Sequence, residues 1–296
     1  MRLAIVILNW NQLADTAVCI QACTHWLHPE DQIWVVDNGS EAAEQAQLQQ
    51  AVGTASILWS GANLGFGGGN NLGLQAAIDG EFQYVLLLNN DARLAETAVA
   101  QLIHTLDQQP EIGMIGPEIW DGDRLLSAGG KDIAQALATH HSQPMQPGEL
   151  RQVAYVPGTC IFMRTAVLQK IGLLDEAYFF GGEVADLCTR ARQAGYQCAI
   201  LGGTQAQHQL ERSAEQRHQL HIYYVLRNRF LFVQKFRPQQ KTRLYLFWSW
   251  QIARLWLHAL LTRNWARARA VALAGWDGWN GRFGGQNARV TKGEIA

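Results

Sequence analysis

The sequence predicts an α/β fold with a mainly parallel central sheet and a C-terminal helical extension. Three observations predict it. Over residues 1–211, short runs of consecutive apolar residues alternate with Ala/Gln-rich amphipathic stretches, the rhythm of βαβ units. Polar residues gather at the C-terminal ends of those runs, where open α/β sheets place their sites. The charge then changes sign. Residues 1–211 hold 9 Lys and Arg against 22 Asp and Glu, a net of −13, whereas residues 212–296 hold 15 against 3, a net of +12, within a chain whose total is −1. The chain therefore divides into two parts, 1–211 and 212–296, that face different partners.

The first strand is "LAIVIL", residues 3–8, followed by Asn9 and Asn11. Its apolar residues are consecutive rather than alternate, as in a strand covered on both faces. One basic residue before it and no small-residue cleavage site after it make it a buried strand rather than a signal peptide. "QIWVVD" (32–37) ends at Asp37 and Asn38, "ASILW" (55–59) leads into a glycine-rich stretch, and "QYVLLLN" (83–89) ends at Asn89, Asn90 and Asp91. Residues 120–150 carry scattered glycine and proline without periodicity and read as an irregular excursion over the sheet. "VAYVPGTCIFMR" (153–164) returns to strand character; a helix from Glu183 stops at Gly195 and precedes a last strand. The five cysteines, Cys19, Cys23, Cys160, Cys188 and Cys198, form no C-x-x-C pair and lie inside apolar patterns, which predicts buried thiols in a reducing cytosol.

In the basic part, "LYLFWSWQIARLWLHALL" (244–261) is apolar enough to raise a membrane span, but Gln251, Arg254, His258 and Thr262 form one polar stripe on a helix. Six of the eleven tryptophans, Trp248, Trp250, Trp256, Trp265, Trp276 and Trp279, lie in this part. A Trp-rich apolar face flanked by basic residues predicts a helix in the plane of an anionic bilayer surface. Packing on the first part is the alternative. No nucleic-acid recognition motif accompanies the charge, so nucleic acid is not expected as a partner.

The stretch "NLGFGGGNNLG", residues 63–73, raises three readings. The dinucleotide fingerprint fails because Asn70 stands where the third glycine belongs and the stretch follows the third strand, not the first. The phosphate loop fails for want of its lysine. What remains is a loop whose backbone presses against a flat ligand, with Asn63, Asn70 and Asn71 supplying amides. A helix N-terminus near Gly69 accounts for one or two of the glycines.

"VILNWNQ", "WVVDNGS", "NLGFGGGNNLG", "LLLNNDA", "GTCIFMRTAVLQKIGLLDEAYFFGGEVADLCTRARQAGY" and a later His208 stand in the order seen in family 2 glycosyltransferases, and the chain resembles their rhamnosyltransferase-type members over about residues 3–230. The resemblance implies the GT-A fold for residues 1–211, a nucleotide-diphosphate sugar donor, dTDP- or UDP-linked, a divalent Mg²⁺ or Mn²⁺, and inversion at the anomeric carbon. Among donors it favours dTDP-rhamnose, and among acceptors a lipid-linked or cell-surface glycan. Asp37 takes the place where the family holds the pyrimidine base; an N-cap role in "DNGS" is the alternative. Asn63, Gly65, Phe66, Gly67 and Asn70 would lie against nucleoside and sugar, with Asn9, Asn11 and Asn90 at the neighbouring strand ends. Asp91 in "LNND" occupies the metal position and His208 joins it, while Arg227 in "YYVLRNR" would clamp a phosphate. With the basic, Trp-rich part, the resemblance implies an enzyme at the cytoplasmic membrane face.

The general base is where this chain departs from its relatives. The family supplies an Asp in "E-D-V-D-L"; here the segment reads "GEVADLC", with Val184 at that position. Glu183 and Asp186 are the nearby carboxylates and both are candidates, Glu183 at the helix start and Asp186 four residues before Arg190, with which it could simply pair. A donor-binding subunit without catalysis is the second reading. A sugar-nucleotide pyrophosphorylase wants a basic glycine-rich loop after the first strand, which "ILNWNQLAD" lacks.

Overall fold

The computed structural model describes residues 2–208 and 215–291. Its first compact unit contains residues 2–131, 138–174 and 184–208, and its second residues 132–137, 175–183 and 215–291. The expected boundary between 211 and 212 lies outside the described residues. Two short stretches of the first part, 132–137 and 175–183, group with the C-terminal helices, an arrangement with no local signature in the chain.

In the first unit, strands β1 (Leu3–Asn9), β2 (Gln32–Asp37), β3 (Ser56–Trp59) and β4 (Tyr84–Asn89) alternate with helices α1 (Leu13–Thr24), α2 (Ala42–Ala51) and α3 (Gly65–Asp79). These strands pair in parallel in the order β3-β2-β1-β4. All four begin and end within one residue of their sequence-predicted bounds. Consecutive apolar residues serve both faces, as the pattern requires. Leu3, Ile5 and Ile7 enter one core cluster with Tyr84, Leu86 and Leu88; Ala4 and Val6 enter the other with Val85 and Leu87.

Beyond β4 come β5 (Ala92–Leu94), α4 (Glu96–Gln108), β6 (Ile112–Asp121), β7 (Arg124–Ser127), β8 (Leu150–Gln152), β9 (Cys160–Arg164), α5 (Thr165–Ile171), α6 (Glu183–Gln193) and β10 (Gln197–His208). The sheet continues β4-β9-β6-β10-β5, with β7 on β6 and β8 on β10. β9 runs antiparallel between β4 and β6, and β6 and β10 are parallel, so six of the ten strands share one direction. Residues 120–150 are more regular than expected, because β7 folds back on β6 as a hairpin and β8 pairs with the distant β10. The strand expected over 153–164 is confined to Cys160–Arg164. All five cysteines are buried, unpaired thiols.

The glycine-rich stretch is helix, not loop. Gly65 opens α3 in the left-handed region (φ 75°), and the remaining glycines continue the helix. A Cβ on Gly69 would stand 2.6 Å from Leu8 Cδ1, and one on Gly73 would run into Val6. These two, one turn apart on one face, let α3 lie directly on β1. For Gly69 and Gly73 the close approach that a missing side chain allows is to the sheet, not to a ligand.

The second unit is helical: α7 (Glu215–Phe236), α8 (Lys241–Leu261), α9 (Trp265–Trp279) and α10 (Asn287–Thr291). Asp277, fully buried, accepts hydrogen bonds from Tyr223 Oη (2.8 Å) and Arg289 Nε (3.1 Å). Trp248, counted above with the surface tryptophans, is instead fully buried and donates from Nε1 to Ala134 O at 2.8 Å. The other five are exposed. Among the described residues no helix is long and apolar enough to cross a membrane.

Candidate functional site

Three parallel strands end side by side in polar residues, and these residues bind one another. Asn9, at the end of β1, donates from Nδ2 to Asp37 Oδ1 (3.2 Å), Ser40 Oγ (3.2 Å) and Glu44 Oε1 (3.0 Å). Asn9 Oδ1 accepts from Thr16 Oγ1 at 2.7 Å, and Thr16 Oγ1 accepts from Asn90 Nδ2 at 3.0 Å. A buried polar chain thus crosses the carboxyl ends of β2, β1 and β4, linking Asp37 to the loop that carries Asp91. Such a network has few alternative arrangements, because each orphaned member would carry an uncompensated desolvation cost. Asn11, in the left-handed region (φ 51°), donates its N–H to Ser40 Oγ and accepts from Glu41 N through Oδ1, closing the rim between β1 and β2.

Asp37 is fully buried. Its Oδ2 accepts from Ser40 N (3.2 Å) and Gln45 Nε2 (3.0 Å) in addition to the Asn9 contact on Oδ1. These contacts hold the turn before α2, whose N-cap is Glu41 without a side-chain bond, so Asp37 is not a helix cap. Asn38 Nδ2 donates to Asn63 Oδ1 and Gly65 O, while its Oδ1 accepts from Leu64 N, which stitches the end of β2 to the start of α3.

Two amides expected to meet a ligand are spent inside the fold. Asn70 Nδ2 donates to Phe66 O (2.9 Å), and Asn71 exchanges hydrogen bonds with the N–H and C=O of Leu174 (3.0 Å each). Asn63 accepts from Gly65 N, an N-terminal turn of α3. Phe66 is half-buried against the core cluster that contains Val184. Gly65 and Gly67 are buried within the first turn of α3.

Asp91 and His208 meet. The antiparallel pairing of β5 with the end of β10 sets His208 opposite Ala92, beside Asp91. His208 Nε2 lies 3.1 Å from Asp91 Oδ1, with side-chain exposures of 14% and 28%. That oxygen is itself buried and has no hydrogen-bond partner, so the approach is close without hydrogen-bond alignment. A buried carboxylate oxygen left unsatisfied costs about 1–3 kcal/mol, which a cation would recover. Among the described residues no group of three or more His, Cys, Asp and Glu gathers to hold a metal, so Asp91 and His208 stand as a pair. A carboxylate oxygen and an imidazole nitrogen side by side are ligand types that suit Mn²⁺ or Mg²⁺, with phosphates and water to complete the shell. Arg93 braces this turn by donating to Asn90 O (3.0 Å) and Ala92 O (2.6 Å).

Two expected site residues are corrected. Arg227 is fully buried in the second unit and donates to Gly284 O (2.6 Å), Tyr178 O (2.8 Å) and Asn228 Oδ1 (2.8 Å), with its guanidinium over the Tyr224 ring. Burial also holds its pKa below that of a free guanidinium. Its donors are committed to backbone carbonyls, so it is a structural hub and not a phosphate clamp. Asp186 is fully buried and pairs with Arg190 Nε at 2.7 Å, and Arg190 in turn donates to Ile171 O (2.5 Å) and Leu173 O (2.6 Å). A carboxylate so placed is not available to take a proton from a substrate hydroxyl. Glu183, also buried, is the first residue of α6 and belongs with residues 175–183 to the second unit. Val184, at the position where relatives carry the base, lies in the core and faces Gly158.

Sequence reasoning missed Thr16, Gln45 and Arg93, which sit in α1, α2 and β5 with no local signal. Asn38 and Ser40 lay inside the quoted "VVDNGS" and could have been found there.

Solved structures share this architecture. The mannosyltransferase PcManGT from Pyrobaculum calidifontis, in complex with GDP-Man and Mn²⁺, matches with a TM-score of 0.62 at 13% identity over 94% of this chain and 87% of that one. GalNAc-T7 with UDP, GalNAc and Mn²⁺ matches with 0.60 at 14% identity, over 79% of this chain and 48% of that one. The fold is of the GT-A type, as the resemblance implied. Among curated proteins, the low-salt glycan biosynthesis hexosyltransferase Agl10 of Haloferax volcanii is 28% identical over 207 residues, 67% of this chain and 65% of the relative. The N-acetylglucosaminyl-diphospho-decaprenol L-rhamnosyltransferase of Mycobacterium tuberculosis is 24% identical over 202 residues, 60% of this chain and 66% of the relative. The matches thus span just under two thirds of these relatives' lengths. The model of glycosyl transferase family 2 matches residues 4–172, more than half of the chain, and with the strand-end site in place the chain belongs to that family.

Proposed function

We propose that this glycosyltransferase moves a sugar, L-rhamnose from dTDP-rhamnose in the first instance, to a hydroxyl of a lipid-linked glycan with inversion at the anomeric carbon. The observation that carries the reading is the Asp91–His208 pair, a buried unpartnered carboxylate oxygen beside an imidazole at the carboxyl edge of a GT-A sheet. The rhamnose assignment draws on the named activity of the mycobacterial relative. Asp91 and His208 would hold Mn²⁺ or Mg²⁺, which when bound neutralises charge on the departing diphosphate. Asn9, Asn11 and Asn90 brace the donor side of the pocket. Asp37 is assigned to the pyrimidine, with the remaining lone pair of its hydrogen-bonded carboxylate as the acceptor of a base N–H. Glu183 is the proposed general base.

A thermal-shift panel of dTDP-, UDP- and GDP-sugars, with and without Mn²⁺, tests the donor class. The dTDP-sugar with Mn²⁺ is expected to raise Tm by several degrees, since a ligand of the folded state stabilises by mass action. Stabilisation by the GDP-sugar alone would overturn the pyrimidine reading. A second reading, a donor-binding subunit without turnover, is favoured by Val184 at the usual base position and by the Asp186–Arg190 pair. Donor-dependent stabilisation with no transfer to any acceptor would support it.

The second unit is proposed to rest on the anionic cytoplasmic face of a membrane. α8 buries one face within the unit and exposes Leu246, Trp250, Leu257 and Leu261 on the other; α9 exposes Trp265 and Trp276. The expected polar stripe runs between the two faces of α8, with Gln251 buried and accepting from Arg254. The raw charge of the region overstates its field, because Arg227 and Arg229 are buried and Arg282 and Arg289 pair with Asp277. Lys241, Arg243, Arg254, Arg263 and Arg269 remain exposed on α8, α9 and the turn between them, the charge that an anionic headgroup layer would attract. In a triple Trp250→Ala, Trp265→Ala, Trp276→Ala variant, vesicle partition should fall by at least about 10²-fold, because losing burial of a large apolar side chain costs roughly 1.5 kcal/mol or more. Undiminished sedimentation with anionic vesicles would remove the membrane from this account.

A further inference from the structure

We propose that Trp120 binds the acceptor sugar, its ring against the pyranose and its indole N–H donating to a hydroxyl. The inference rests on the glycosyltransferase reading above and adds a residue that no motif in the sequence marks.

Three observations carry it. Trp120 sits near the carboxyl end of β6, paired in register with Gln207 of β10, one residue before His208. It is therefore at the same sheet edge as the Asp91–His208 pair. Its antiparallel partner on β7 is Leu125, which packs on the core cluster containing Val156, Val184 and Ile200. Residues paired across strands share a face, and His208 and Trp120 fall on opposite faces because Ala206 and Ile119, one register step away, belong to the other cluster. Trp120 thus occupies the face of the sheet that carries the usual base position, while the cation and diphosphate belong to the other.

The third observation is chemical. Trp120 is half-buried, its ring is a member of neither core cluster, and its Nε1 is buried without a hydrogen-bond partner. Buried indole N–H groups ordinarily find an acceptor. A half-buried aromatic at a site edge, unsatisfied at its donor, suits a ligand with an apolar face and hydroxyl acceptors. A pyranose has both. A nucleotide diphosphate would instead seek the cation side.

The test uses the full chain labelled at the indole nitrogens. The N–H resonance missing from the spectrum of Trp120→Phe identifies Trp120. Titration with methyl glycosides of N-acetylglucosamine, galactose, mannose and rhamnose is expected to shift that resonance with at least one sugar, whereas dTDP or UDP with Mn²⁺ leaves it in place. Trp120→Phe should keep the wild-type thermal shift with its donor and require about tenfold more of the responsive glycoside for half-saturation, followed through the remaining indole signals. A resonance that no glycoside moves, or that nucleotide alone moves, overturns the proposal. Because the glycoside arm contains no donor, it reads out independently of whether dTDP-rhamnose is the right one.

Discussion

Asp91→Ala is expected to lower kcat by about 10³-fold and to leave the fold at least as stable as before. The two effects have one cause. Asp91 Oδ1 is buried and accepts no hydrogen bond, so its removal gives up the approach to His208 but relieves an unsatisfied group worth about 1–3 kcal/mol. The same oxygen, beside His208 Nε2 at 3.1 Å, is the group through which charge on the departing diphosphate would be countered. Losing such stabilisation costs about 4 kcal/mol of barrier, or roughly three decades of rate. Turnover measured across a Mn²⁺ titration, together with Tm of the unliganded variant, checks both halves. A rate within tenfold of the parent, with its metal dependence intact, would take Asp91 out of the site. A large fall in Tm would show that the residue is structural after all.

Glu183→Gln is expected to cut kcat by at least about 10²-fold while the donor-induced thermal shift stays unchanged, as for a group that acts only on the acceptor hydroxyl. The substitution keeps the size of a buried side chain and removes its capacity to take a proton. Asp186→Asn is the control, and its expected signature is different. It breaks the pair with Arg190, which anchors the carbonyls of Ile171 and Leu173, so it should cost about 1–3 kcal/mol of stability, moderated because Arg190 is partly exposed and keeps its carbonyl acceptors. Normal activity in Glu183→Gln alongside loss of activity in a folded Asp186→Asn would reverse the two roles.

Much of the architecture was legible in advance. β1, β2, β3 and β4 fall within a residue of the apolar runs that predicted them, because a strand buried on both faces needs apolar residues at every position. The helix from Glu183 and the strand after it follow from equally local signals. The glycine-rich stretch was read less well. Glycine count points to close approach of a backbone without saying what approaches, and only the packing of α3 on β1 shows that Gly69 and Gly73 make room for Leu8 and Val6. Arg227 likewise looked like a phosphate ligand, since an Arg beside an Asn on a helix does not reveal that Gly284, 57 residues later, will lie against it. Trp248 was counted with the surface tryptophans, although Ala134, 114 residues earlier, meets its indole N–H.

Taken alone, the chain's residues determined the fold class, the family, the edge of the sheet where chemistry belongs and the division into an acidic and a basic part, because periodicity, turn chemistry and charge are local quantities that add along the chain. Only the tertiary structure decided which polar side chains are still free to meet a ligand. Asn9 is spent on Asp37, 28 residues away, and Asn71 on Leu174, 103 residues away, whereas one oxygen of Asp91 is left unsatisfied. Hydrogen bonds saturate and burial depends on which distant segments meet, so a donor or acceptor is assigned to structure or to function by its neighbours in space.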